Sequence, residues 1–308
     1  MRILDVHVHY NGNAAEAERF VSAWRGGGIE KAAVFATNAN DGSHPSVSDV
    51  AALAARFPDF FIPFGYVNPG HDDGVAVVRE AAARGFKGVK FIYPAKPYDE
   101  DEYLPIYEEA AKAGMVCLFH TGVVIGTVGR GGVHGIDFQR EWRVSSNYMR
   151  PAHLDRIARV FPEMSIIGAH VGGGAWYEEA TAVTRWNANV YFDMSIGQFH
   201  YVRKSAPPAS RPDGLSSRWV SGSQRETRGP GGSEDPRAIR PRIRELYDVG
   251  QLRLDRILFG TDGVVGNPAA NPAWALRTLS FELDGLGATE EEKEAVRWGT
   301  AARLLGIA

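Results

Sequence analysis

Asp5, His7 and His9 alternate through the opening segment ILDVHVH, residues 3–9. If that segment is a β-strand, these three side chains share one face, and Val6 and Val8 take the other. Three polar groups turned into a core would cost about 1–3 kcal/mol each if unpaired, a cost that a divalent cation removes. Two imidazoles at i and i+2 can share one ion, leaving Asp5 to orient a histidine from behind. A His-x-His pair alone is weak evidence, because a histidine satisfied within the core reads the same way. Further polar residues close other apolar runs: Lys90 in GVKF, His120 in CLFHTG, His170 in IGAHVGG and Asp262 in LFGTDG. Cys117 is the one cysteine, so any ion here must be held by imidazole and carboxylate, and an intrachain disulfide is excluded.

Those residues need elements that bring them together. Eight short runs rich in β-branched and aromatic residues recur along the chain, at 3–9, 31–37, 60–67, 88–92, 115–120, 165–170, 189–195 and 256–261. Between them lie stretches of helical spacing, such as Leu154, Ile157, Ala158 and Phe161, or Val75, Val78 and Ala82. Strands alternating with helices imply parallel pairing, because a parallel connection needs a crossover long enough to hold a helix. Eight such units predict a (β/α)8 barrel over one domain, residues 1–308. An open dinucleotide-binding sheet would want a Gly-rich phosphate turn after its first strand; Gly26, Gly27 and Gly28 instead follow the first helix and stop it. In a barrel, the C-terminal strand ends converge on one mouth, which gathers four histidines, Lys90 and Asp262.

With 308 residues and a net charge of −3, the chain has the composition of an ordinary globular protein and lacks the basic excess of a general nucleic-acid binder. No apolar run reaches the roughly 18 residues of a membrane span, and Asp5 and His7 interrupt what would be a signal sequence, so a cytoplasmic protein is expected. Cys117 alternates away from His120 and is expected to be a buried thiol. Two long segments follow the fifth and seventh strands. The first, 121–150, is rich in glycine (Gly122, Gly126, Gly129, Gly131, Gly132, Gly135); the second contains an insert at about 202–238, expected to be flexible, before Ile239, Ile243 and Leu246 resume a helix. Both emerge on the mouth and are the expected determinants of substrate. Arg130, Arg140, Arg143, Arg203, Arg211, Arg218, Arg225 and Arg228 populate them, and guanidinium forks suit a carboxylated substrate, although most of these are expected to be solvated surface charges. Trp142, Tyr148, Trp176, Phe199 and Tyr201 offer walls for an unsaturated ring, with plain packing as the alternative. His44, His71 and His153 are expected at the surface, and His134 and His200 on the mouth-side loops.

Taken together, these motifs resemble the amidohydrolase superfamily, in its amidohydrolase-related branch of metal-dependent hydrolases and of decarboxylases of the aminocarboxymuconate-semialdehyde and resorcylate type. The resemblance spans the whole chain. It implies a (β/α)8 barrel with one divalent ion held by His7, His9, His120 and Asp262, and His170 as a catalytic residue beside it. Zinc is the expected ion, with Mn²⁺ or Fe²⁺ as alternatives. Other members hold two ions bridged by a carbamylated lysine from the fourth strand, so Lys90, with His170, is a candidate second-metal or substrate contact. No organic cofactor is expected.

A cation of this kind lowers the pKa of bound water to about 7. Asp262 can then accept the water's proton, and His170 can polarise a carbonyl or serve the leaving group. Hydrolysis of an amide, lactone or ester-like bond in a small carboxylated substrate is the leading expectation. Decarboxylation of a carboxylated aromatic or muconate-type substrate is the alternative, and a metal-binding barrel without turnover ranks last. A homodimer is compatible with such a barrel; nucleic acid and membrane are not expected partners.

Overall fold

A computed structural model of the chain describes residues 2–124, 137–195, 198–202 and 237–307. The first half runs β1 (Ile3–Tyr10), α1 (Ala17–Gly26), β2 (Ile29–Ala36), α2 (Val47–Arg56), β3 (Phe61–Val67), α3 (Gly74–Ala83), β4 (Gly88–Phe91), α4 (Leu104–Lys112) and β5 (Val116–Phe119). The middle carries α5 (Asp137–Glu141), α6 (His153–Val160), β6 (Ile166–Gly168), α7 (Tyr177–Trp186) and β7 (Val190–Asp193). After it come β8 (His200–Val202), β9 (Arg237–Ile239), α8 (Pro241–Asp248), β10 (Ile257–Leu258), β11 (Gly263–Val265), α9 (Ala273–Leu286), α10 (Glu290–Glu294) and α11 (Thr300–Leu305).

The main sheet is parallel throughout, in the order β10-β7-β6-β5-β4-β3-β2-β1-β11. Its two ends belong to one stretch of chain. Between β10 and β11, the Val6 amide donates to Phe259 O at 3.0 Å and the Asp262 amide to His7 O at 2.9 Å, so this stretch closes the circuit against β1. The eighth run expected at 256–261 is therefore a strand broken in the middle, and the break carries Asp262. Seven of the expected runs overlap β1 to β7. The eight-unit pattern was visible in the sequence because the central strands are buried on both sides: β2 keeps Ala32 to Ala36 inside, and β4 to β7 keep all their residues inside.

Local chemistry sets the helix ends. Ser46 and Asp49 form a reciprocal capping box on α2, as Thr289 and Glu292 do on α10. α6 buries Leu154, Ile157 and Ala158 against the sheet, the stripe its spacing predicts. The helix expected from Ile239 starts only at Pro241, a residue suited to a first turn; Ile239 belongs to β9, which pairs antiparallel with β8. Gly88 is demanded by packing: a Cβ there would lie 2.5 Å from both the Phe64 ring and Val116 O. None of the helices among the described residues is long and apolar enough to cross a membrane. Of the loop residues singled out above, Gly126, Gly129, Arg130, Gly131, Gly132, His134, Gly135, Arg203, Arg211, Arg218, Arg225 and Arg228, with most of the insert, lie outside the described residues.

Candidate metal centre

β1 carries Asp5, His7 and His9, with an irregularity in its pairing to β2 between Asp5 and Val8, and the three meet different partners. Asp5 is fully buried. Its carboxylate accepts the His7 amide (3.1 Å), the Thr261 amide (2.9 Å), the Thr261 hydroxyl (2.6 Å) and the Trp24 indole N–H (2.9 Å). Burial pushes its pKa up to about 6 against the pull of these donors. Asp5 thus touches no imidazole; it ties β1 to the broken eighth strand, and the expectation that it orients a histidine ring is corrected.

Asp193, at the end of β7, takes that place. One oxygen lies 2.8 Å from His7 Nδ1; the other accepts the His170 amide and the Ser195 amide, each at 3.0 Å, and the Ser195 hydroxyl. Burial would raise the Asp193 pKa, but the His7 ring and these donors hold it well below the usual carboxylate range. An ionised carboxylate only accepts, so His7 carries its proton on Nδ1 and leaves Nε2 as a bare lone pair. The same logic extends outward. The Ser195 proton goes to Asp193, so Ser195 Oγ, 2.7 Å from His170 Nδ1, accepts from that ring and leaves His170 Nε2 unprotonated. Burial drives the pKa of His7 down to about 3, with Lys90 adding to it, and lowers those of His170 and His120.

His7 Nε2 faces His9 Nε2 at 3.3 Å and Asp262 Oδ1 at 3.3 Å, and His9 Nε2 lies 3.0 Å from the same oxygen. Burial opposes ionisation of Asp262, yet the hydrogen bond from His9 and the neighbouring histidines hold its pKa well below the carboxylate range. Atoms about 2.1 Å from one ion stand at such mutual separations, and the imidazole–carboxylate donor set suits zinc, manganese or iron. The two groups of possible ligands among the described residues are His7, His9, Asp262 and His7, His170, Asp193. His120 belongs to neither. It lies edge-on to His170 with ring centroids 5.0 Å apart, and its Nε2 is buried without a hydrogen-bond partner. Such an orphaned nitrogen beside the cluster is the feature a ligand would satisfy. Lys90 is fully buried with Nζ 3.3 Å from His7 Nε2, and burial pushes its pKa down to about 7. The side chain of Asp262 is 27% exposed and that of His7 1%, so the cluster opens to solvent on the Asp262 side.

Backbone strain accompanies the arrangement. His170 (φ 63°), two residues past β6, and Asp262 (φ 57°), just before β11, both hold left-handed conformations. Asp193 and Ser195 went unread in the sequence, although YFDMS ends the seventh run with the same apolar-to-polar switch that marked Lys90 and His120. The other candidates are dispersed. His44 lies near Asp72 (3.4 Å), His153 pairs with Asp99 (2.7 Å) and His200 with Glu282 (2.7 Å), so none is a bare surface histidine. His71 stacks on Trp142 at 4.0 Å. Phe199 is core, Arg150 lies over Trp176, and Arg140 and Arg143 are exposed. Cys117 is buried, its thiol pKa raised by burial.

A search of curated proteins found no match. Solved structures of similar fold span the chain. An uncharacterised TIM-barrel protein from Bordetella bronchiseptica is 17% identical with a TM-score of 0.65, covering 99% of each chain. A dihydroxybenzoic acid decarboxylase from a Polaromonas species, with bound manganese and the inhibitor 2-nitroresorcinol, is 15% identical with a TM-score of 0.53 over 99% of this chain and 96% of its own. A probable 2-pyrone-4,6-dicarboxylic acid hydrolase from Acinetobacter baumannii, with citric acid bound, is 10% identical with a TM-score of 0.56 over 100% of each chain. At these identities the likeness shows the barrel fold. The sequence itself goes further: residues 9–307 match the model of the amidohydrolase family, and with polar strand ends gathered at one mouth of a parallel barrel, the chain belongs to that family.

Proposed function

We propose that His7, His9 and Asp262, with His120 completing the set, hold one divalent ion, and that the site cleaves a small carboxylated substrate by hydrolysis. The observation that carries this reading is the convergence of His7 Nε2, His9 Nε2 and Asp262 Oδ1 within 3.0–3.3 Å of one another, with the His7 tautomer fixed by Asp193. A bound divalent ion would supply Lewis acidity and a nucleophile available at neutral pH. The chain's own groups do the rest. Asp262 starts ionised on the open side of the cluster, ready to accept a proton at its carboxylate oxygen. His170, backed by Ser195 and Asp193, offers a neutral Nε2 that polarises or relays only after it takes up a proton. Lys90 stands against His7 as a substrate or second-ion contact. The loops after β3, β4 and β5 meet through ring contacts among His71, Trp142, Phe138 and Tyr93.

Decarboxylation is the second reading. It is favoured by the full-length likeness to a manganese-containing dihydroxybenzoic acid decarboxylase, and it requires Asp262 to gain a proton before delivering one to a substrate carbon. A panel of carboxylated aromatics, muconates and lactones, assayed with zinc- and manganese-loaded protein, separates the two. Incorporation of labelled water oxygen into product without CO₂ supports hydrolysis. CO₂ release without water incorporation replaces it with the second reading, and no turnover of the panel with either metal opposes both.

A further inference from the structure

Among the described residues, the non-glycine residues with a left-handed backbone are Tyr93, Arg143, His170, Val171 and Asp262. His170 and Asp262 belong to the cluster, and Val171 follows His170. Tyr93 is the comparable residue beyond β4, two positions past its end and three past Lys90, with φ 53°. A bulky aromatic residue is a true outlier there, where glycine or asparagine would sit at less cost. Strain held at a barrel mouth is reason to look for a function in the side chain.

The ring and hydroxyl of Tyr93 are both placed. The ring meets Phe138 edge-to-face at 5.1 Å, Phe138 meets Trp142 at 4.7 Å, and Trp142 stacks on His71. The loops after β3, β4 and β5 are thereby joined by one chain of ring contacts, with Tyr93 at its β4 end. Gln139 Nε2 donates to the Tyr93 hydroxyl at 3.4 Å, so the hydroxyl's own proton remains for an acceptor. Burial, with Asp262's negative charge adding to it, pushes the phenol pKa up to about 12, so the group stays a neutral donor.

We propose that Tyr93 is a substrate-binding residue of the candidate metal centre, its hydroxyl donating a hydrogen bond to the carboxylate of a substrate while its ring is held in place by Phe138. The assignment rests on the reading of the site as one for small carboxylated substrates. It explains why a strained tyrosine occupies a position that backbone conformation alone would give to a smaller residue.

The test compares metal-loaded wild type with Tyr93→Phe, which keeps the ring contact with Phe138 and removes only the hydroxyl. The probes are benzoate and salicylate, titrated by calorimetry and, for salicylate, by its own fluorescence, after equal metal content is confirmed. Loss of one hydrogen bond to a charged group predicts affinity weakened about ten- to hundredfold for both probes. Equal affinities in the two proteins would overturn the role of Tyr93 and leave the reading of the site standing. Failure of the wild type to bind either probe would overturn both. Should Tyr93→Phe fold poorly, Tyr93→Asn, which suits a left-handed backbone, is titrated in its place with the same expected weakening.

Discussion

Replacing Asp193 by Asn changes one atom of the cluster and leaves its shape. The carboxylate accepts four hydrogen bonds: from the His7 ring, the His170 and Ser195 amides and the Ser195 hydroxyl. The amide oxygen of Asn can keep the three made by one carboxylate oxygen, which places the NH₂ group 2.8 Å from His7 Nδ1. Two donors cannot face each other there, so His7 must move its proton from Nδ1 to Nε2, the nitrogen turned toward His9 and Asp262. A protonated Nε2 cannot ligate. Loss of such an outer partner typically weakens metal affinity 10–100-fold, or about 1.4–2.7 kcal/mol. Competition against a chromogenic chelator measures the dissociation constant for Zn²⁺ and Mn²⁺, and nitrogen NMR of the His7 ring reports which nitrogen carries the proton. An Asp193→Asn protein that holds metal as tightly as wild type, with the His7 proton still on Nδ1, would show that Asp193 does not set the His7 tautomer.

Asp262→Asn is expected to lower kcat by at least about 100-fold with little change in KM, because it removes the proton-accepting oxygen from the chemical step; steady-state kinetics on the substrate found by the panel assay decides this. Lys90→Met is expected to stabilise the metal-free protein increasingly as pH falls from about 10.5 to about 7, the interval between the ordinary lysine pKa and the value to which burial pushes it. Over that interval the unfolded chain is protonated at Lys90 while the native one is not, so the native state of wild type loses stability as pH falls and levels off below 7. The full difference has an upper bound of roughly 5 kcal/mol, measurable by urea unfolding across pH. Gly88→Ala is expected to cost about 1–3 kcal/mol in the same urea experiment, because its methyl group would meet Phe64 and Val116 O at 2.5 Å.

The His-x-His spacing was enough to bring the rings of His7 and His9 within 3.3 Å of each other, and the repeated strand–helix rhythm was enough to point to Lys90, His170 and Asp262 as their neighbours; the irregularity of β1 between Asp5 and Val8 was not legible in it. What each group does there was less legible. Asp5 and Asp193 are both buried carboxylates at strand positions, yet only the closure of β1 against residues 259–262 sets Asp5 against Thr261, and only the pairing of β6 with β7 sets Asp193 beside His170, while the contact with His7 reaches across from β1. Partner choice of this kind depends on contacts far apart in sequence, such as the 186 residues between His7 and Asp193. The break in the eighth strand was hidden for a related reason. LFGTDG reads as a strand end, and the chain resumes as β11 from its last residue, Gly263, only because β1 supplies the pairing. The chain of ring contacts escaped too, since Trp142 was visible as a candidate but its stack on His71 joins two loops.

Metal content of the purified protein, determined by mass spectrometry alongside the variants His7→Ala and Asp262→Asn, tests the shared cation most directly. About one divalent ion per wild-type chain is expected, with a loss of at least about 90% in His7→Ala and an intermediate amount retained in Asp262→Asn, where one of several ligands is weakened. Undiminished metal in His7→Ala, or full activity in wild type stripped of metal, would contradict a shared cation.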